Sequence, residues 1–341
     1  MTRRSFLVLL GVLPLMACLR PQDPRFRPDP HRSLHIAGPA GVLAGDLVLP
    51  AGPGPFPAVL LLAGSGPQDR DEHVAGHRPF LVLSDALARA GIASLRYDKR
   101  GVGGSAGDFA TATISDFARD AGAAFDALAA RPEIDPARIA ILGHSEGGLT
   151  APLAARGRKV AALVLLAGPA VPMEQVLRHQ TRAIAALQGA PADRIAALDE
   201  ALAASFAALR AAPDLAAARP RLTAALAPLP PEVRRTYAAV LATPWGFDAA
   251  RPDPLALIGA FDGPVLALYG GSDTQVDATE NAAALRDLAR TAGMQVDVMA
   301  GLNHLFQADP TGDPQNYARI PQTLAPEVPA RIVAFLRRAA G

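Results

Sequence analysis

Ser145 stands in the run Gly143-His144-Ser145-Glu146-Gly147, after an apolar stretch and before a segment that begins Gly148-Leu149-Thr150. At a turn from strand to helix, a serine flanked by glycines can be held in a strained conformation that presents its Oγ. Close approach of strand and helix leaves no room for side chains at positions 143 and 147. The positive end of the following helix favours negative charge developing there. Such a hydroxyl attacks when a base takes its proton, and the base needs an acid to orient it. Of the seven histidines, His304 in Gly301-Leu302-Asn303-His304-Leu305-Phe306 follows the last strand-forming run, where a loop can swing an imidazole toward Ser145. His31 and His35 precede the other runs, His73 and His77 lie upstream of the serine, His179 falls in a helical stretch, and His144 is expected to point away. Asp273, in Tyr269-Gly270-Gly271-Ser272-Asp273, lies between serine and histidine at a strand end, with Asp277 and Asp262 as alternatives. The chain order Ser, Asp, His and the residue types describe acyl transfer through a covalent intermediate.

The elements that must carry these residues follow from the hydrophobic pattern. Continuous apolar runs at Phe56 to Gly64, Ile92 to Arg96, Arg138 to Gly143, Val160 to Gly168, Pro264 to Gly270 and Met294 to Gly301 suit strands buried on both faces. Shorter runs at His35 to Gly38 and Gly41 to Pro50 precede them. Helix-period segments alternate with the runs: Phe80, Leu83, Leu87 and Ala88 share one face, and so do Ile114, Phe117, Ala121, Ala124, Phe125 and Leu128. This alternation predicts an α/β class, a mainly parallel, doubly wound sheet. From Val171 to about Asp248 the strands stop, and Met173, Val176, Leu177, Gln180, Ile184 and Leu187 fall at helical spacing. A helical insertion over residues 171–248, within a core of residues 33–170 and 249–341, would form a cap above the carboxyl ends of the strands.

Composition narrows the function class. Lys plus Arg number 33 against 32 Asp plus Glu, with no basic run that would track a phosphate backbone, so nucleic acid is not an expected partner. Residues 1–18 read as an export signal, with Arg3 and Arg4 ahead of an apolar stretch too short to span a bilayer. Leu15-Met16-Ala17-Cys18 is similar to a bacterial lipoprotein box, and Thr2-Arg3-Arg4-Ser5-Phe6-Leu7 to a twin-arginine signal. Cys18 is the sole cysteine, so no internal disulfide is possible and lipidation accounts for it. Residues 19–32 then form a proline-rich linker from the membrane to the domain, placing it on the periplasmic face of a bacterial membrane.

The motifs Gly64-Ser65-Gly66-Pro67-Gln68-Asp69-Arg70-Asp71, Tyr97 to Ser105, Gly143 to Gly148 and Gly301 to Gln307 resemble those of the α/β-hydrolase superfamily, more narrowly of bacterial serine esterases and peptidase-like hydrolases. The resemblance covers most of residues 33 to 341. It implies an oxyanion hole made of the backbone N–H groups of Ser65 and Glu146, with Gly66 as the alternative to Ser65, and with Ala63 where many relatives have histidine. It also implies that the glycine-rich segment with Arg96, Asp98, Lys99 and Arg100 is a structural turn. The expected substrate is a small carboxylic ester of short to medium acyl length. A serine aminopeptidase, with Glu174 or Glu200 holding a free amino terminus, or an acyl-peptide hydrolase is one alternative; a non-catalytic ligand-binding lipoprotein is the other. No cofactor is expected. His73 and His77 with Asp71 and Glu72 are read as loop packing and ion pairs with Arg70 and Arg78, and no metal site is expected. Trp245 suits either an acyl pocket or ordinary packing.

Overall fold

The computed structural model describes residues 31–339. The leader, the lipidation candidate Cys18 and the linker up to residue 30 lie outside them. Eight strands are formed: β1 (His31–Gly38), β2 (Gly41–Val48), β3 (Phe56–Leu62), β4 (Ala93–Tyr97), β5 (Ile134–His144), β6 (Ala162–Leu166), β7 (Val265–Gly270) and β8 (Met294–Met299). They make one sheet in the order β1-β2-β4-β3-β5-β6-β7-β8. β1, β2 and β4 pair antiparallel, and the pairs from β4 through β8 are parallel. This is the α/β-hydrolase fold. β1 starts at His31, inside the stretch expected to be linker.

The parallel strands are apolar because helices cover both faces. Val59, Leu60 and Leu61 of β3, Ile139 to Leu142 of β5 and Leu163 to Leu165 of β6 are fully buried, each such side chain contributing roughly 1.5–3 kcal/mol. α1 (Pro79–Arg89) packs on the carboxyl-terminal α11 (Glu327–Ala339), while α2 (Ile114–Ala129) and α3 (Glu146–Ala155) pack together elsewhere on the sheet. α2 begins with a capping box in which the Thr113 hydroxyl accepts from Asp116 N–H and the Asp116 carboxylate accepts from Thr113 N–H, both at 3.0 Å, together worth about 1 kcal/mol. Its six expected apolar positions are all buried. In α1 the buried face takes Ser84 rather than Ala88, because the guanidinium of the buried Arg96 donates to Ser84 Oγ at 3.0 Å.

Between β6 and β7 the chain forms α4 (Met173–Leu187), α5 (Ala192–Ala211), α6 (Leu215–Leu226), α7 (Pro231–Leu241) and α8 (Pro244–Ala249), followed by α9 (Pro254–Gly259). Leu198, Leu202, Phe206, Leu222 and Leu241 give this region its own apolar interior. Met173, Val176, Leu177, Gln180 and Ile184 are buried on α4, but Leu187 in its last turn is exposed. The insertion meets the sheet domain at specific bonds. Ser115 donates its N–H to Asp248 Oδ2 at 2.8 Å, and Asn281 Oδ1, on α10 (Ala278–Ala292), accepts from Val171 N–H at 3.3 Å. Among the described residues no helix is long and apolar enough to cross a membrane.

Candidate active site

Ser145 connects β5 to α3 with φ 52° and ψ −119°, a conformation that L residues rarely adopt. Three contacts enforce it. A Cβ on Gly143 would fall 2.0 Å from the Gly147 oxygen, one on Gly147 would fall 2.1 Å from the Leu62 oxygen, and one on Gly148 would fall 2.5 Å from Gly168 Cα. The first two are the crowding expected at the turn; the requirement at Gly148, set by Gly168 in the loop after β6, has no local signal in the sequence. Ser145 N–H donates to the Leu166 oxygen at 2.8 Å, fastening the turn to the neighbouring strand.

His304 and Asp273 come together from the loops after β8 and β7. His304 Nδ1 donates to Asp273 Oδ2 at 2.7 Å, and both side chains are buried. Asp273 Oδ1 accepts two backbone N–H groups, from Gln275 at 2.7 Å and Val276 at 3.0 Å. The carboxylate is therefore fixed from both ends. A proton on Nδ1 leaves Nε2 as the acceptor nitrogen of the neutral ring. Asp277 instead caps α10, accepting from Glu280 N–H at 2.6 Å.

Ser145, Glu146 and His304 line one cavity of about 400 Å³ with Ser65 and Gly66 of the loop after β3. Its far wall is apolar and belongs to the insertion, with Met173, Val176 and Leu177 of α4 and Trp245 of α8. Gln180 and Gln275 add polar groups, Gln180 Nε2 donating to Gln275 Oε1 at 3.3 Å. Trp245 thus lines the pocket while also packing against the core.

The charged groups behind the cavity form pairs that sequence reasoning missed. Glu146 is buried and its Oε1 accepts from Lys99 Nζ at 2.6 Å, while its Oε2 accepts from Trp245 Nε1 at 2.6 Å. Glu72, also buried, accepts from Gly64 N–H at 2.5 Å and from His144 Nδ1 at 2.8 Å, both on Oε1. His144 does not point idly away. Its Nε2 donates to the His304 carbonyl at 3.0 Å. Burial works against a charge on His144, but the Glu72 carboxylate and the two hydrogen bonds outweigh it, and the imidazole pKa is raised above its ordinary value. One signal for the first pair was available: a glutamate forced inside at position 146 demands a cation, and the chain has two lysines, Lys99 and Lys159.

The segment around Lys99 is a set of internal ion pairs. Asp98 is bonded by Arg70 at 2.8 Å and accepts from Gly104 N–H at 2.9 Å; burial raises its pKa, yet these bonds bring it below the ordinary carboxylate value. Arg96 pairs with Asp71 at 2.8 Å and Arg100 with Asp120 at 2.6 Å. No anion is needed to satisfy them. His77 bonds the Tyr317 carbonyl at 2.9 Å and Thr323 Oγ1 at 3.1 Å, which accounts for it without a metal. Away from the cavity wall, the half-buried His179 and Asp277 and the exposed Glu280 bring ligand-type atoms within 4.8 Å of one another. Glu174 is held by Arg178 at 3.3 Å and Arg210 at 2.7 Å, and Glu200 is exposed on α5; neither lines the cavity.

Residues 77–311 match the model of the serine aminopeptidase, S33, family. The chain belongs to that family. Esterase EstD of Thermotoga maritima is 29% identical over 266 residues, a stretch that is 77% of this chain and 58% of that protein. The chain thus spans under two thirds of that relative's length. Among solved structures, the Pyrococcus furiosus esterase Pf2001 superposes with a TM-score of 0.58 at 17% identity, covering 92% of each chain. The α/β hydrolase GrgF from Penicillium does so with a TM-score of 0.57 at 18% identity, covering 91% of this chain and 99% of its own. Both likenesses concern the fold. The matched residues 77–311 include the turn at Ser145, Asp273 and His304.

Proposed function

We propose that this S33-family protein hydrolyses carboxylic esters through an acyl-enzyme on Ser145, with His304 as general base and acid and Asp273 as the residue that orients it. The observation that carries the reading is the 2.7 Å His304–Asp273 bond at the cavity into which the strained Ser145 turn is built. Ser145 Oγ attacks the ester carbonyl carbon while His304 Nε2 takes the hydroxyl proton. The same nitrogen then protonates the departing alkoxide. Water repeats the cycle on the acyl-enzyme, with the Ser65 and Glu146 N–H groups donating to the oxyanion in both halves.

The apolar wall and a volume near the lower end of ligand pockets support a small ester with a short to medium acyl chain. The name of EstD as an esterase points the same way. An aminopeptidase would need a carboxylate for a free amino terminus; Glu174 and Glu200 do not line the cavity, and of the acidic residues that do, Glu72 and Glu146 are engaged by His144 and Lys99. Export and a lipid anchor on Cys18 belong to the same proposal; a Cys18→Ala variant that still takes up labelled fatty acid would remove that part.

The test is hydrolysis of p-nitrophenyl esters from acetyl to dodecanoyl, beside aminoacyl p-nitroanilides, by the protein and its Ser145→Ala variant. Cleavage of esters alone, abolished in the variant, is the expected result. Turnover of anilides in place of esters would make the protein a peptidase, and turnover retained by Ser145→Ala would end the serine-hydrolase reading.

A further inference from the structure

Gly64 is where the chain leaves β3 for the cavity, and a buried ionisable side chain holds the peptide on either side of it. The peptide before Gly64 gives its N–H to Glu72 Oε1 at 2.5 Å. The peptide after it offers its carbonyl to Lys99 Nζ at 2.7 Å. That second peptide is also the one that carries the Ser65 N–H. In a trans peptide the C=O and N–H point in opposite directions, so an ammonium gripping the Gly64 oxygen turns the Ser65 N–H away from itself. Ser65 lines the cavity and Lys99 does not.

Two hydrogen bonds and an aromatic ring surround the Lys99 ammonium. One N–H direction goes to the Gly64 oxygen, a second to Glu146 Oε1 at 2.6 Å, and the Phe117 ring lies under the ammonium with its centroid 4.3 Å away. The side chain is 7% exposed. These contacts exclude an anion-binding or nucleophilic role and leave the question of why a charge is buried here at all. Neutralising Glu146 is half an answer, since Glu146 is itself an elective charge at that position.

We propose that Lys99 is a positioning residue for the oxyanion hole: by holding the Gly64 carbonyl it aims and polarises the Ser65 N–H, and by holding the Glu146 side chain it keeps the second donor residue in register with the first. The inference rests on the esterase reading above. A positive charge on the carbonyl oxygen draws electrons from the peptide nitrogen and makes its N–H a stronger donor. Trp245 completes the chain of contacts, since its indole N–H takes the other Glu146 oxygen. The donor pair is thereby tied to the cavity wall on which substrate would lie.

Lys99→Met alone would strand the Glu146 charge in the interior, so the informative variant is Lys99→Met/Glu146→Gln, which removes both charges and keeps an acceptor for Trp245. With a cleaved p-nitrophenyl ester, kcat should fall about 10- to 100-fold while KM stays within roughly two-fold, because a misaimed donor weakens the transition state and not the bound ester. The inhibition constant of a trifluoromethyl ketone, whose adduct carries the oxyanion, should rise by the same factor. A folded double variant with the parent's kcat and ketone affinity would reduce Lys99 to a counter-ion of Glu146. The unaltered protein gives an independent arm: a crystal structure of the ketone adduct should put the adduct oxygen on Ser65 N–H with Lys99 still on the Gly64 carbonyl. An adduct oxygen bound elsewhere overturns the proposal without any variant. Activity surviving in Ser145→Ala would instead overturn the reading beneath it, so the two failures are distinguishable.

Discussion

His144 and His304 lie with ring centroids 4.9 Å apart, and His144 donates its Nε2 proton to the His304 carbonyl. The residue beside the candidate nucleophile therefore holds the main chain of the candidate base. Its other nitrogen is bonded to Glu72, so a charged His144 satisfies a donor at each end.

That pairing has a pH signature. The charged groups around His144 are Glu72 and Asp273, with the His304 ring beside it, and their net effect raises its pKa despite burial. A group whose pKa is higher in the folded state contributes its full stabilisation below its unfolded value, about 6.5, and loses it as pH rises through the folded value. Unfolding free energy should therefore decline as pH rises above about 6.5, and His144→Asn should flatten that decline. Denaturant midpoints at a series of pH values measure it. An equal slope in the variant would assign the decline to another group.

Asp273→Asn should leave the protein folded and lower kcat by about 10³- to 10⁴-fold, because an amide can present a donor to His304 and reverse its tautomer. Steady-state kinetics with a far-ultraviolet dichroism control decide this. A loss of less than about ten-fold would move the orienting role to another acid.

Gly147→Ala should destabilise the protein by about 3 kcal/mol, since the new methyl carbon would sit 2.1 Å from a main-chain oxygen of β3 that cannot retreat. Gly157→Ala is the control. It has nothing within 4 Å and a φ of +72°, so it should cost only about 1 kcal/mol of backbone strain. Thermal unfolding of the two variants side by side compares steric exclusion with conformational preference.

Trp245→Phe keeps an aromatic wall in the cavity and removes the donor to Glu146. Losing a hydrogen bond to a buried charged acceptor should cost about 1.5–3 kcal/mol, read as a lower denaturant midpoint at unchanged slope. Amide exchange should quicken first in α8, where the insertion loses its hold on the Ser145 turn. Unchanged exchange there would show that apolar packing alone seats the insertion.

Sequence revealed the sheet because fully buried parallel strands are continuous apolar runs, and β3, β5, β6 and β7 lie within the expected runs or extend them by a few residues. The strained turn at Ser145 and the pairing of Asp273 with His304 were legible because such a turn and two strand ends leave local marks of glycine, order and spacing. The supporting groups were not. Glu72 meets His144 across 72 positions and Lys99 meets Glu146 across 47, and such pairings arise only when loops from different strands converge at one sheet edge. Ser84 replaced Ala88 on the buried face of α1 for the same reason: its partner, Arg96, comes from a neighbouring strand. Helical periodicity marked the face of α4 but not its end, where Leu187 runs past the core it was expected to join.

The chain contains one tryptophan, and its indole N–H is bonded to the residue that follows Ser145. Light absorbed at wavelengths that tyrosine does not share is therefore emitted from a single place, the wall of the cavity that Ser145 also lines. Formation of an acyl-enzyme, departure of the leaving group and loosening of the insertion would each alter the polarity or hydrogen bonding of that indole. The protein thus has its own fluorophore at the candidate active site, and the single-turnover events of the proposed reaction would be followed by stopped-flow emission without a dye or a chromogenic substrate.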